Sequence, residues 1–361
     1  MLLMSLTAFA TDSLTVEKPK QGWFSRLIES FSEIDTNYVE PQHYNWALML
    51  QSINTYDYYK LSAGKGNNRQ SISFAPDLGF RLGPYFGWRW IFLGYTIDMR
   101  TMNIFSGKRR LEIDGSIYSS RFCADIFYRR SVKDYNIKSV NFGSSYDTKA
   151  MEGVAFDGLN VSITGVNLYY IFNHKRFSYP AAFAQSTCQK ISCGSWMVGV
   201  GYLNHDIEFD YKRLEAIAKE RIGLEVKLDS GLMFNRIKYT NYNASVGYAY
   251  NWVFARNCLL CGSLSMALAY KKSRGETAKN LNEKDEGFNF GNINIDGIGR
   301  FGFVWNNTKW YAGASAIIRA YNYHKSRFAA NNIFGDLCIY VGMNFGLRKE
   351  YKNKKNELKH K

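Results

Sequence analysis

Along most of the chain, hydrophobic and polar residues alternate one for one. The stretch NIFGDLCIYVGMNFGLRKE, Asn332 to Glu350, is the clearest case. Leu337, Ile339, Val341, Met343, Phe345 and Leu347 fall on one face. Asp336, Cys338, Tyr340, Gly342, Asn344 and Gly346 fall on the other. A period of two marks a β-strand with unlike faces. Before about Tyr44 the period is helical instead. Trp23, Phe24, Leu27, Ile28, Phe31 and Ile34 form one stripe, an amphipathic helix that packs on the body of the protein, lies on a membrane surface or plugs a lumen.

Twelve strands follow from the alternation: residues 45–56, 70–82, 88–100, 109–118, 121–131, 159–172, 196–206, 239–254, 259–271, 292–305, 309–321 and the stretch ending at Leu347. The second places Ile72, Phe74, Leu78, Phe80 and Leu82 on one face. The sixth slips phase near Gly165, as a bulge would cause. The eighth sends Tyr242, Val246, Tyr248, Tyr250 and Trp252 outward and Asn241, Asn243, Ser245, Gly247 and Asn251 inward. RLEAIAKERI, after the seventh, is a helical patch. Connections after strands two, four, eight and ten are short, while those after five, seven and nine are long and polar. Only the irregular join after strand six, NHKRFSYPAAFAQSTCQKISCGS, breaks the order. Loops sorted by length are expected of an outer-membrane barrel, and a soluble sandwich has no reason to sort them.

The second face decides between those folds. It carries Asp77, Arg81, Asp98 and Arg100 on strands two and three, then Arg110, Glu112, Asp114, Asp125 and Arg129 on four and five. Asp296, Arg300, Arg319 and Asp336 follow on the last three. In a barrel these become a lumenal charge network. The apolar face ends in aromatics: Trp46, Trp88, Trp196, Tyr202, Tyr242, Trp252, Phe254, Phe303, Trp305 and Trp310. Such rings gather at membrane interfaces. The expected fold is therefore an all-β, antiparallel transmembrane β-barrel of about twelve strands, with Leu337 to Leu347 facing lipid and a short N-terminal amphipathic helix.

Composition agrees. The 361 residues include 26 Tyr, 25 Phe and 30 Gly but 5 Pro, and no apolar run reaches the length of a membrane helix. The net charge of +15 is spread out and accompanies no nucleic-acid motif, so nucleic acid is not an expected partner. Residues 1–10 read as a signal peptide, possibly truncated, ending in Ala8-Phe9-Ala10. Residues 11–43 read as a periplasmic segment, 44–347 as the barrel and 348–361 as a basic, solvated, disordered periplasmic tail. The six Cys are too scattered for a disulfide framework, although Cys188 and Cys193 flank a short turn and are able to pair.

Candidate chemistry is sparse. No cofactor, metal set or nucleophile motif is present. His205-Asp206 and His174 are the positions where a lipid-modifying enzyme of deacylase or phospholipase type would place a base, but no Ser is assignable to them. Basic residues assigned to loops (Lys212, Arg213, Lys219, Arg221, Lys271, Lys272, Arg274, Lys325 and Arg327) are expected to meet anionic lipid, lipopolysaccharide phosphates or glycans. The thirteen lumenal charges predict a mostly closed or narrow-pore barrel.

The phrases DTNYVEPQHYNWALMLQ (35–51), RFSYPAAFAQSTCQK (176–190), YAYNWVFARN (248–257) and LAYKKS (268–273) resemble a family of outer-membrane barrels from anaerobic Gram-negative bacteria, domain of unknown function 4421. The resemblance implies the same barrel and location. It implies no activity and transfers no functional residues. In barrel proteins generally, an aromatic near the end of the last strand, here Phe345, engages the barrel-assembly machinery.

Overall fold

The computed structural model describes residues 33–357, apart from 65, 67–68, 89–90, 99–108, 144–145, 224, 278–292 and 326–327. The expected N-terminal helical stripe from Trp23 to Phe31 and the expected signal peptide lie outside the described residues. Twelve strands close into one antiparallel barrel: β1 (Tyr44–Ala63), β2 (Gly79–Trp88), β3 (Ile91–Gly94), β4 (Arg109–Tyr118), β5 (Phe122–Val132), β6 (Leu159–Ile171), β7 (Cys193–Phe209), β8 (Phe234–Ala255), β9 (Cys258–Thr277), β10 (Ile293–Asn306), β11 (Trp310–Lys325) and β12 (Phe328–Leu347). Each pairs with its chain neighbours, and β1 pairs with both β2 and β12. The last strand runs against the first from Phe328↔Ala63 to Leu347↔Tyr44, so closure leaves the barrel wall no free edge.

One rim carries the tight turns β4–β5, β8–β9 and β10–β11. The other carries the long connections 133–158 and 210–233. The sorting is incomplete, because Lys325 pairs with Phe328 in a tight hairpin on the long-loop rim.

The outer wall has two zones. From the short-turn rim upward, outward side chains are apolar and exposed: Trp46, Leu48 and Leu50 on β1; Trp196, Val198, Val200 and Tyr202 on β7; Leu264, Met266 and Leu268 on β9; Leu337, Ile339 and Val341 on β12. Met343, Phe345 and Leu347 continue the same outward face. On β8 the apolar run extends from Tyr242 to Phe254, roughly 40 Å of strand, and about 30 Å of bilayer once tilted. Trp46, Trp88, Trp196, Trp252, Trp305 and Trp310 ring its lower edge, and Tyr202 lies opposite Tyr242, which lies opposite Tyr270, at its upper edge. Above that row the outward residues become Asn204, Asp206 and Glu208 on β7 and Lys238 and Arg236 on β8.

The lumen inverts at the same level. Below it, inward positions mix polar and charged residues with small apolar clusters. Above it they form a dry core in which Tyr59, Leu61, Phe74, Ile137, Phe156, Phe209 and Phe234 are almost wholly buried. Strand β6 shows the change within one element. Leu159, Val161 and Ile163 point inward above Gly165, whereas Val166, Leu168 and Tyr170 point outward below it. Pairing to β5 and β7 is continuous through Gly165, so the expected bulge is absent. The apparent phase slip records the exchange of water for lipid outside. The expected second strand divides for the same reason. Residues Gln70–Pro76 bury Ile72 and Phe74 in the upper core and pair with Tyr135–Asn141, while β2 turns Phe80 to lipid.

A helix, α2 (Tyr211–Ile222), lies over that core through Leu214, Ile217 and Ala218; α1 is the shorter helix Tyr179–Phe183, treated below. Asp210 caps the start of α2 by accepting from the Arg213 amide (3.0 Å), and Gly223, at φ 70°, ends it in the left-handed region that glycine adopts without strain. The tail expected to be disordered instead forms α3 (Lys349–Glu357) directly after β12. Tyr351 stacks on His43 with ring centroids 4.0 Å apart, which pins the first turn to the wall.

The inversion sets a measurable asymmetry. Val200→Arg, in the middle of the apolar zone, is expected to cost about 2–4 kcal/mol, and Asn204→Arg, two outward positions higher, no more than about 1 kcal/mol. Urea-dependent unfolding in phospholipid vesicles measures both; equal costs would place the boundary elsewhere.

Candidate functional site: a lumen closed at both ends

The join after β6, the one connection that broke the loop order, folds back into the barrel. Ser178 caps α1 by accepting from the Ala181 amide (3.3 Å), and Pro180 sits in the first turn. This Ser-then-Pro arrangement is a helix-start signal. It was present in the sequence, yet the segment is expected there only as an irregular loop. Tyr179, Pro180, Ala181 and Ala182 are buried inside the barrel. Ala181 and Ala182 pack on Leu259, Cys261 and Val304 of β9 and β10. Gly302 of β10 permits the approach, because a Cβ there would lie 3.3 Å from the Ala182 carbonyl oxygen.

Hydrogen bonds lock this plug. Asn251 of β8 donates to the Ser178 carbonyl (2.8 Å) and to Gln189 (3.1 Å). Gln189 donates to the carbonyls of Arg176 (2.7 Å) and Tyr38 (3.2 Å). Gln185, held at φ 52°, donates to the Tyr340 hydroxyl of β12 (2.6 Å). Val39–Glu40 and Cys188–Gln189 then pair as a two-stranded sheet beneath the rim. Tyr38, Ser178, Gln189 and Asn251 come from the three segments 35–51, 176–190 and 248–257, which are far apart in the chain.

Above the plug lie the charges. Nine of the thirteen expected lumenal residues have described side chains that face the lumen. Arg81 pairs with Glu112, and Arg129 with Asp336 (2.5 Å) and Asp114 (3.7 Å). Arg319 stands 3.8 Å from Asp336. Arg300 pairs with Asp125, which also accepts from the Tyr118 hydroxyl (2.9 Å). Asp296 accepts from Asn241 (2.8 Å) and from Lys271 (2.6 Å), a residue expected in a loop but 1% exposed on the inner face of β9. With Lys271 the set holds five cations and five carboxylates, which keeps a buried lumen near neutrality. Aromatic faces back the guanidinium groups: Arg319 lies 5.2 Å from the Phe127 ring centroid and Arg300 5.3 Å from that of Tyr169.

Asp77 does not belong to this network. It is exposed at the break between Gln70–Pro76 and β2 and accepts from Asn136 (2.7 Å). Arg100 and the side chains of Asp98 and Arg110 lie outside the described residues. Between the plug and the charges remains a cavity of about 130 Å³, bordered by Phe183 and Gln185 below and by Asp114, Arg319 and Asp336 above. That is room for about four waters. The aromatic core closes the far end.

The enzymatic arrangement is not formed. His205 is not a strand-end or loop residue but is wholly buried on β7, where Nδ1 meets the Tyr239 hydroxyl. Asp206 points to the opposite face, where Arg236 grips it (2.8 and 2.5 Å) and holds its carboxyl below the usual carboxylate range. His174 bonds Arg121. Among the described residues no Ser hydroxyl hydrogen-bonds either His, and no group of His, Cys, Asp and Glu forms a metal site. All six Cys are free, so Cys188 and Cys193 do not pair. The basic residues of the 210–233 connection sit on α2, where Arg213 is engaged by Asp157 (3.1 Å) and Lys219 by Glu225 (2.7 Å). Lys272 and Arg274 belong to β9 and Lys325 to β11, while Arg327 lies outside the described residues.

The network predicts strong coupling. Arg300→Met leaves Asp125 buried and is expected to destabilise the barrel by about 3–5 kcal/mol, whereas the double variant with Asp125→Leu recovers most of the loss. Thermal unfolding of both in detergent tests this; additive losses would remove the pair from the lumen.

Comparison with known proteins follows the fold. No curated protein sequence matches the chain. Among solved structures, the outer membrane protease OmpT from Escherichia coli is similar at 6% identity and TM-score 0.34, covering 83% of this chain and 97% of its own. The translocator domain of the autotransporter NalP from Neisseria meningitidis is similar at 9% identity and TM-score 0.33, covering 83% and 88%. A Pseudomonas aeruginosa FadL homologue is similar at 9% identity and TM-score 0.28, covering 83% and 90%. The profile of a domain of unknown function, DUF4421, matches residues 33–345. That span takes in the plug, its strand partner beneath the rim and nearly the whole barrel, and the chain belongs to the DUF4421 family.

Proposed function

We propose that this protein is a closed outer-membrane scaffold that passes no solute, with its long-loop rim at the cell surface and its plugged rim in the periplasm. The observation that carries the reading is the double closure of the lumen. The plug fills one end, an aromatic core fills the other, and about 130 Å³ lies between them. A barrel of twelve strands has a small interior, and this one is occupied by side chains and the plug. The upper part is built like a soluble domain, with a dry core and charged exterior, so the wall serves to hold a folded cap outside the bilayer.

Outward basic residues just above the upper aromatic edge support lipid contact. Lys60, Arg130 and Lys238 stand one or two outward positions beyond Tyr56, Tyr128 and Tyr242. That is the height at which lipopolysaccharide phosphates pack against an outer-membrane barrel, and charge-assisted bonds to them are strong. These strand residues replace the loop lysines as the proposed contacts.

Reconstituted in planar bilayers, the full chain is expected to give no discrete channels under applied voltage. A stable conductance in the wild-type protein would overturn the closed-scaffold reading. The triple variant Lys60→Gln, Arg130→Gln and Lys238→Gln is expected to lower co-purifying lipopolysaccharide about tenfold or more, roughly the worth of one charge-assisted contact. Unchanged lipopolysaccharide would refute the lipid contact alone and leave the closure untouched.

A further inference from the structure

The lipid-facing wall is not smooth. Between β5, β6 and β7, near the short-turn rim, it contains a groove of about 500 Å³ lined almost entirely by apolar surface. Its floor follows from the register. Phe122, Tyr170 and Val198 lie side by side on three adjacent strands, as do Ala124, Leu168 and Val200 one outward step higher. Ala124 is the short member. It is 9% exposed, against 43% for Phe122, 50% for Leu168 and 59% for Val200, so it forms a floor between taller walls. A bilayer places hydrocarbon along this zone, and a concave slot there holds an extended chain better than a flat wall does.

The rim end of the groove is polar and basic. Ser119 lines it, and Arg121 is the residue next to Phe122. Arg121 donates through Nε (3.3 Å) and Nη2 (3.2 Å) to His174 Nε2. A guanidinium only donates, so His174 Nε2 is the acceptor in this contact. The ring lies 6.5 Å from that of Tyr170, itself part of the groove. His174, 8% exposed, thus holds the guanidinium at the rim beside the groove without cancelling its charge. Arg121 and Lys175 share one carboxylate, Glu33, at 3.8 and 2.7 Å, so these three groups keep a net positive charge. An apolar slot with a positioned Arg on the rim beside it, where hydrocarbon gives way to water, has the two chemistries of a phospholipid in the right order.

We propose that the groove and the rim beside it seat one phospholipid of the leaflet on the short-turn side, with an acyl chain over Ala124 and the phosphate on Arg121. The proposal needs only that the barrel spans a membrane, and it stands apart from the lipopolysaccharide contact at the opposite edge. Charge beside the groove favours a phospholipid over a second copy of the barrel, whose described outward strand residues at this depth are apolar.

The test uses the full chain purified in dodecyl maltoside, with dioleoyl phosphatidylglycerol or dioleoylglycerol added and bound lipid counted by native mass spectrometry. Wild type, Ala124→Leu, Arg121→Gln and Arg121→Lys are compared, each first shown to be folded by its heat-modifiable gel mobility. The wild-type protein is expected to retain one phosphatidylglycerol and no dioleoylglycerol. Ala124→Leu fills the slot from the lipid side without disturbing the lumen, and Arg121→Gln removes the charge; each is expected to lower retention about tenfold or more. Arg121→Lys is expected to keep most of it. Wild-type retention by either weakened variant, retention of dioleoylglycerol equal to that of phosphatidylglycerol, or no lipid on the wild-type barrel overturns the proposal. So does a dimer that Ala124→Leu dissolves, which would assign the groove to a second copy.

Discussion

Everything in this barrel follows from one constraint: a wall one residue thick must match a different solvent on each side, and the solvents change along its length. Through the membrane zone the exterior is hydrocarbon, so the apolar side chains point out and the polar ones must find partners within. Above it the exterior is water, and the same strands turn their apolar side chains inward. Strand β6 accomplishes this at Gly165 with no break in its hydrogen bonds. The backbone ladder is indifferent to the change, and only the order of side chains records it.

The polar half of that constraint explains the lumen. A membrane barrel that encloses charge without bulk water must balance it, and the pairs built on Arg81, Arg129, Arg300, Arg319 and Lys271 do so. The plug is the second solution to the same problem. By entering from the short-turn rim it covers the inner faces of β9 and β10, and it accepts from the buried Asn251 amide nitrogen through the Ser178 carbonyl and Gln189. Tyr179 links the two solutions, since it belongs to the plug helix and lies beside Arg300, 5.8 Å from ring centroid to guanidinium.

On the closed-scaffold proposal the lumen carries no solute, and the surfaces become the informative part. The wall offers lipid two chemically different edges. One is a charged band above the upper tyrosines that includes Lys60, Arg130 and Lys238 beside Asp206 and Glu208, and the other is an apolar slot near the short turns with Arg121 on the rim beside it. The histidines, which in the sequence look like the best candidates for catalysis, have structural duties instead. His205 fills the dry core against Tyr239, and His174 orients Arg121.

The sequence by itself determined the number of strands, their order, the lipid-facing set from Leu337 to Leu347 and the aromatic edges. Those properties depend on local alternation and on the length of a tilted strand, both visible within one segment. It also named nine of the charged side chains that the described lumen holds, among them Arg129, Arg300 and Asp336. What only the tertiary structure decided was where the outside stops being lipid, and therefore why Ile72 and Phe74 are core while Phe80 is not. The plug, the place of Asp77 outside the network and the place of Lys271 within it were likewise decided there. Alternation reports two unlike faces but is blind to which face meets which solvent. A connection's destination depends on partners such as Asn251 and Tyr340, which lie many tens of residues away along the chain and meet it only when the cylinder closes.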